Sequence, residues 1–262
     1  MPLILRPDLR LNAEISGPVN GMPLVLLHAL GTDLSIWEDL LPLLPQSLRI
    51  LRLDLRGHGK SDAPPPPYPM GALIRDVETA MEHFGLRDAA ILGVSLGGLI
   101  AQGLAVKRLD LVRALILSNT AAKIGSPALW QARGVEIAET GLTAYAPGAM
   151  LRMFGRNWAD NPAMPRVRAL LEATSQDGWT GGAKAIAGAD FYATTATLTL
   201  PTLVIAGAND ATTPPDLVRE TADLIRGSRF HLIRGVGHLP FLEKPRDYAT
   251  LVSGFLQDIG HG

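Results

Sequence analysis

The sequence predicts an α/β chain: a mostly parallel, doubly wound sheet interrupted by a helical insertion. Three observations predict it. Short, wholly apolar runs alternate with helix-compatible segments, as happens when strands are buried on both faces of a parallel sheet. One apolar run, Ala89 to Leu92, passes into a helix through Gly93-Val94-Ser95-Leu96-Gly97. Between Ala121 and Ala196 the strand-like runs stop, and three of the four tryptophans appear there: Trp130, Trp158 and Trp179.

Taken in order, Leu3–Leu5 and Leu9–Ile15 are short and separated by Pro7, which predicts an antiparallel pair at a sheet edge. A turn at Pro18-Val19-Asn20-Gly21 leads to Pro23–Leu27, a continuous apolar strand. Asp33–Leu44 reads as a helix, with Asp33 as N-cap and Ile36, Leu40 and Leu44 on one face. Leu48–Leu55 is the next strand, and Pro64–Pro67 stops regular structure. Met70–Phe84 has helical periodicity, with Gly85 closing its C-terminal end. After the Ser95 turn come a helix over 98–105 and a strand over Val112–Leu117. The alternation resumes after the insertion with strand Thr202–Ala206, helix Pro215–Ile225, strand Arg229–Ile233 and helix Pro245–Ile259. The domain reading is therefore a core of residues 1–120 and 197–262, with residues 121–196 inserted as a helical cap.

Composition narrows the function. The formal net charge is −1 and the sequence pI about 6.6, which gives no basic field for nucleic acid or an anionic membrane surface. The absence of cysteine rules out disulfides and thiolate metal sites. The N-terminus does not read as a signal peptide, and no run approaches a membrane span, so the expectation is a soluble, cytoplasmic protein. Gly57-His58-Gly59 lacks the third glycine of a dinucleotide loop, and Lys60-Ser61 lacks the preceding glycine of a phosphate loop. The histidines are too scattered for a metal site. No cofactor is implied, and the partner expected is a small molecule; the sequence is compatible with a homo-oligomer.

The spacing G-x-S-x-G has a mechanical reason. A nucleophilic serine must project from a sharp strand-to-helix turn, and glycines two residues to either side remove the Cβ atoms that would collide there. The following helix aims free N–H groups at the site, Leu96 first, where they can hold an oxyanion. Two later strand ends carry polar residues of a useful type: Asp210 after Thr202–Ala206 and His238 after Arg229–Ile233. In a parallel sheet both open on the same edge as Ser95. The order Ser, Asp, His is that of a serine nucleophile, an orienting acid and a general base. The bland alternatives stand beside this one. Asp210 could cap the next helix, and a lone histidine in a glycine-rich loop is often a surface residue. His28-Ala29-Leu30-Gly31 follows a strand where a second oxyanion donor, the Ala29 N–H, would belong; an ordinary turn is its other reading.

Together these stretches resemble the α/β-hydrolase family. The match rests on His28-x-Leu30-Gly31, Asp54-Leu55-Arg56-Gly57-His58-Gly59-x-Ser61, Gly93-x-Ser95-x-Gly97-Gly98, Gly207-x-x-Asp210 and Gly237-His238. The resemblance implies a mostly parallel eight-stranded sheet with helices on both faces and an inserted cap. Within the family the chain most resembles the 3-oxoadipate enol-lactonases, through residues 27–37, Ser118–Gly125, Trp130-x-x-Arg133 and Asn209–Pro215. It departs from them in having Ala29 where serine is usual and Gly181-Gly182-Ala183-Lys184 where a cysteine-containing segment is common. The implied activity is hydrolysis of a small ester or lactone, with Trp130 and Arg133 as candidates to hold a substrate carboxylate. Arg133 as a solvated cap residue is the plainer alternative. A broad carboxylesterase or perhydrolase, and a non-catalytic ligand-binding protein, fit the same residues.

Overall fold

The computed structural model describes residues 3–6, 8–155 and 158–261, with the Trp158 side chain also left aside. Pro7, the expected break between the first strands, lies outside the described residues, as do Met1 and Pro2. Eight strands form one sheet in the order β1-β2-β4-β3-β5-β6-β7-β8. They are β1 (Leu3–Leu5), β2 (Arg10–Ser16), β3 (Met22–Leu27), β4 (Leu48–Leu53), β5 (Ala89–Val94), β6 (Val112–Ser118), β7 (Thr202–Gly207) and β8 (Arg229–Ile233). Among the described residues, β1·β2 and β2·β4 pair antiparallel; from β4 to β8 every pairing is parallel. All six residues of β5 and of β7 are buried, which requires cover on both faces of the sheet.

Nine helices are assigned among the described residues: α1 (Met70–His83), α2 (Leu96–Lys107), α3 (Pro127–Phe154), α4 (Met164–Ala173), α5 (Gln176–Gly188), α6 (Tyr192–Thr195), α7 (Pro215–Leu224), α8 (Pro240–Glu243) and α9 (Pro245–Asp258). α1 ends one residue before Phe84, and Gly85 takes the left-handed φ of +64° just beyond it. α2 is buried on all sides, from Leu96 to Ala105. α3 to α6 fill the interval between β6 and β7. None of the described helices is long and apolar enough to cross a membrane.

One expected element differs. Asp33–Leu44 is not an α-helix but two 3-10 turns, Leu34–Trp37 and Leu41–Leu43. Asp33 does cap the first, accepting from Ser35 N at 2.8 Å. The continuation fails because Pro42 has no N–H to return to residue 38 and its ring collides with that carbonyl. The side chains still face inward: Ile36, Trp37 and Leu40 are fully buried. The spacing of apolar residues was right about burial and wrong about backbone.

α3 is also unusual. Its 28 residues bend at Gly141, whose φ of +79° and ψ of 166° are not helical. A Cβ at Gly141 would meet nothing within 4 Å, so glycine serves the backbone conformation here rather than a close contact.

Candidate active site

Ser95 stands at the junction of β5 and α2 with φ +57° and ψ −116°, a region that side chains other than glycine rarely adopt. Its surroundings hold it there. The Ser95 N–H donates to Ser118 O at 3.2 Å, and its carbonyl accepts from Thr120 Oγ1 at 2.7 Å and from the N–H groups of Gly98 and Leu99. The flanking glycines are required by crowding. A Cβ on Gly93 would lie 2.3 Å from the carbonyl oxygen of Gly97, and one on Gly97 would lie 2.2 Å from that of Leu27. Leu96 opens α2, where the helical ladder leaves the N–H unclaimed.

Asp210 and His238 come together from the loops after β7 and β8. His238 Nδ1 donates to Asp210 Oδ2 at 2.7 Å, so Nε2 is left free of the acid. The same carboxylate oxygen accepts from Asn119 Nδ2 at 2.8 Å and Thr213 Oγ1 at 2.7 Å, while Oδ1 accepts from the N–H groups of Thr212 and Thr213. Asp210 therefore orients a histidine and shapes the turn before α7, but it does not cap that helix, whose N-cap is Pro214 with no side-chain cap bond. Burial works to raise its pKa, but His238, Asn119 and Thr213 together hold it below the ordinary value. It is the ionised partner of a buried imidazole.

Several residues that set this geometry carried no motif. Asn119 sits in the left-handed region at φ +46° and donates to both Asp210 and Gly237 O, linking the acid and histidine loops. Glu243 Oε1 accepts from Gly237 N at 2.7 Å, fixing the residue before His238, and its Oε2 accepts from Asn161 Nδ2. The last turn of α3 takes part as well: the Met153 carbonyl accepts from His238 N at 2.7 Å and the Arg152 carbonyl from Ala211 N at 3.0 Å. For Asn119 the sequence hints were its place in the Ser118–Gly125 stretch and asparagine directly after a strand, a residue type that tolerates positive φ.

The loop after β3 rests on two neutral histidines. His28 Nε2 accepts from Leu55 N at 2.9 Å and Nδ1 donates to Ala29 O at 2.8 Å; burial lowers its pKa to about 4. His58 Nε2 accepts from Gly31 N at 3.0 Å, and burial with the nearby His28 lowers its pKa to about 3. The Ala29 carbonyl also accepts from Thr32 Oγ1 at 2.9 Å. Ala29 is buried, and Leu30 beside it lines the cleft that Ser95 and His238 share.

The opposite wall of that cleft comes from α3 to α5: Trp130, Arg133, Tyr145, Arg152 and Trp179. Trp130 Nε1 donates to Ile124 O at 2.6 Å, and the Arg133 guanidinium lies over the Trp130 ring at 4.8 Å. Arg133 is thus a half-buried residue that lines the cleft. Burial, with Arg152 nearby, lowers its pKa. The arrangement combines a serine hydroxyl on a strained turn, a buried acid–imidazole pair and a cationic, aromatic wall. Chemically, that suits nucleophilic attack on a carbonyl by a group the imidazole can deprotonate.

The class follows from the fold and this elbow. A profile of the α/β hydrolase fold matches residues 22–245, and the chain belongs to the α/β hydrolase family. More particularly, it is 31% identical over 260 residues to 3-oxoadipate enol-lactonase 2 of Acinetobacter baylyi, covering 95% of this chain and 94% of that one. It superposes on the crystal structure of the enol-lactonase from Burkholderia xenovorans LB400 with a TM-score of 0.94 and 32% identity, covering 98% and 100% of the two chains. A pimeloyl-[acyl-carrier protein] methyl ester esterase of Neisseria meningitidis is 29% identical, over 89% of this chain and 76% of its own.

Proposed function

We propose that the protein is a serine hydrolase that cleaves a small carboxylic ester or lactone through an acyl-enzyme, with 3-oxoadipate enol-lactone, opened to 3-oxoadipate, as its substrate. The observation that carries this is the Asp210–His238 pair at 2.7 Å in the same cleft as Ser95 on its strained turn. Ser95 Oγ attacks the ring carbonyl while His238 Nε2 takes its proton; Asp210 holds the tautomer and stabilises the imidazolium. The N–H groups of Leu96 and Ala29 hold the oxyanion. Ring opening expels an enolate, which takes up a proton to become the ketone. Water, deprotonated by His238, then releases the acid and restores Ser95. Trp130 and Arg133 receive the substrate's free carboxylate, and residues 121–196 act as the cap that carries them. The enol-lactonase relatives favour the lactone over a general ester.

The test is kcat/KM on 3-oxoadipate enol-lactone beside p-nitrophenyl acetate, with Ser95→Ala as control. A preference of several powers of ten for the lactone, lost in the variant, is expected. Comparable values would reduce the assignment to a general esterase. Turnover indifferent to Ser95→Ala would overturn it.

A further inference from the structure

We propose that Arg152 and Arg133 form a two-guanidinium subsite that clamps the carboxylate of an acidic acyl substrate. The inference rests on the hydrolase reading above and names the substrate class: esters or lactones of short dicarboxylic acids that keep one carboxylate free.

Arg152 differs from the other arginines of the interior in having no carboxylate partner among the described residues, although Arg52 Nε, like Arg152 Nη2, is buried without a hydrogen bond. Arg56 is bonded to Asp76, Arg6 to the same carboxylate, and Arg52 to Glu14. Arg152 lines the cleft with Ser95 and His238; its side chain bonds the Tyr145 hydroxyl, yet its Nη2 is buried without a hydrogen-bond partner among the described residues. A guanidinium nitrogen withdrawn from water and left unpaired is costly, unless a ligand completes it. Its position is fixed from two sides. The guanidinium lies over the Tyr145 ring at 5.0 Å, and the backbone carbonyl holds the N–H of Ala211 in the acid loop.

Arg133 lines the same cleft, and the Arg152 charge is among the causes that lower the Arg133 pKa, after burial. The residues lining this cleft include no aspartate or glutamate. An anion entering between the two guanidiniums would relieve the repulsion and satisfy Nη2, and a carboxylate matches the planar fork of arginine.

The bend in α3 is what makes the pair. Nineteen residues separate the two in sequence, about 28 Å of rise on an unbroken helix at 1.5 Å per residue. The non-helical Gly141 folds the helix so that both arms reach one cleft.

The experiment compares the mono-p-nitrophenyl ester of glutarate with neutral p-nitrophenyl butyrate. In Arg152→Met the ratio of their kcat/KM values should fall about 30-fold, chiefly through KM for the anionic ester, as expected for loss of a charge-assisted hydrogen bond. Arg152→Lys should recover part of the ratio. In the unaltered protein, free glutarate should compete with the neutral ester and the uncharged diamide of glutaric acid should not; this readout does not depend on any variant folding. Equal losses on both esters, or equal inhibition by acid and diamide, would overturn the subsite. Ser95-dependent turnover without an anion preference would overturn it and leave the hydrolase reading intact. Absence of Ser95-dependent turnover would overturn the reading beneath both.

Discussion

On the sheet side of the cleft the acid is already paired: Asp210 accepts five hydrogen bonds, from His238, Asn119, Thr212 and Thr213. On the helical side, Arg133 and Arg152 face the cleft over aromatic rings, and Arg152 Nη2 has no hydrogen-bond partner among the described residues. The contrast separates two tasks. A group that must move a proton needs its tautomer and position fixed before substrate arrives, so its partners are built in. A group that must recognise substrate is left unsatisfied, so that the right ligand completes it and the wrong one leaves it bare.

That contrast can be broken. The largest effect should come from Asp210→Asn, which leaves the shape of the network but removes the charge that stabilises the imidazolium. A fall in kcat of about 10⁴-fold is expected, with KM for the anionic ester little altered. A loss carried mainly by KM would blur the two walls into one.

A smaller loss is expected from Asn119→Gly. Glycine keeps the positive φ without strain, so the change removes the side-chain bridge between Asp210 and Gly237 together with the bond that Asn119 Oδ1 accepts from Ser118 Oγ. Freed of that donor, Asp210 and His238 should lose alignment, and kcat should fall about tenfold, in line with a hydrogen bond to a charged group. Unchanged kcat would make Asn119 merely a turn residue.

The smallest effect sharpens the comparison through pH. Glu243, which ties Gly237 to Asn161, has its pKa pushed up to about 7, chiefly by burial. Between its ordinary value of 4.5 and 7 the folded protein keeps a proton there that the unfolded chain has lost. The stability from this group is therefore full below pH 4.5 and is lost as pH rises through 7. Glu243→Gln lacks that loss, so its Tm relative to the unaltered protein should climb between pH 5 and pH 8. A difference constant with pH would contradict the assignment.

Much of this molecule was legible in its sequence. Apolar runs located the inner strands β3, β5, β6 and β7, because burial on two faces leaves little room for polar residues, whereas β8, at the sheet edge and largely exposed, followed from its place in the alternation. Gly93-x-Ser95-x-Gly97 marked the turn because its glycines answer to backbone atoms a little over 2 Å from where a Cβ would stand. Asp210 and His238 could be picked out because each follows a strand that must open on the same edge. The Asp33–Leu44 segment escaped because apolar spacing reports which side chains are buried, and Pro42 decided the backbone.

What only the tertiary structure decided is the set of contacts between residues far apart in the chain. Asn119 reaches Asp210, Glu243 reaches Gly237 and Asn161, and His58 supports the loop at Gly31. Arg133 and Arg152 meet only because Gly141 bends the helix between them. Local patterns record what each segment needs from its own backbone and its burial. Pairing across loops depends on where the folded chain brings them, and no spacing along the sequence encodes that distance.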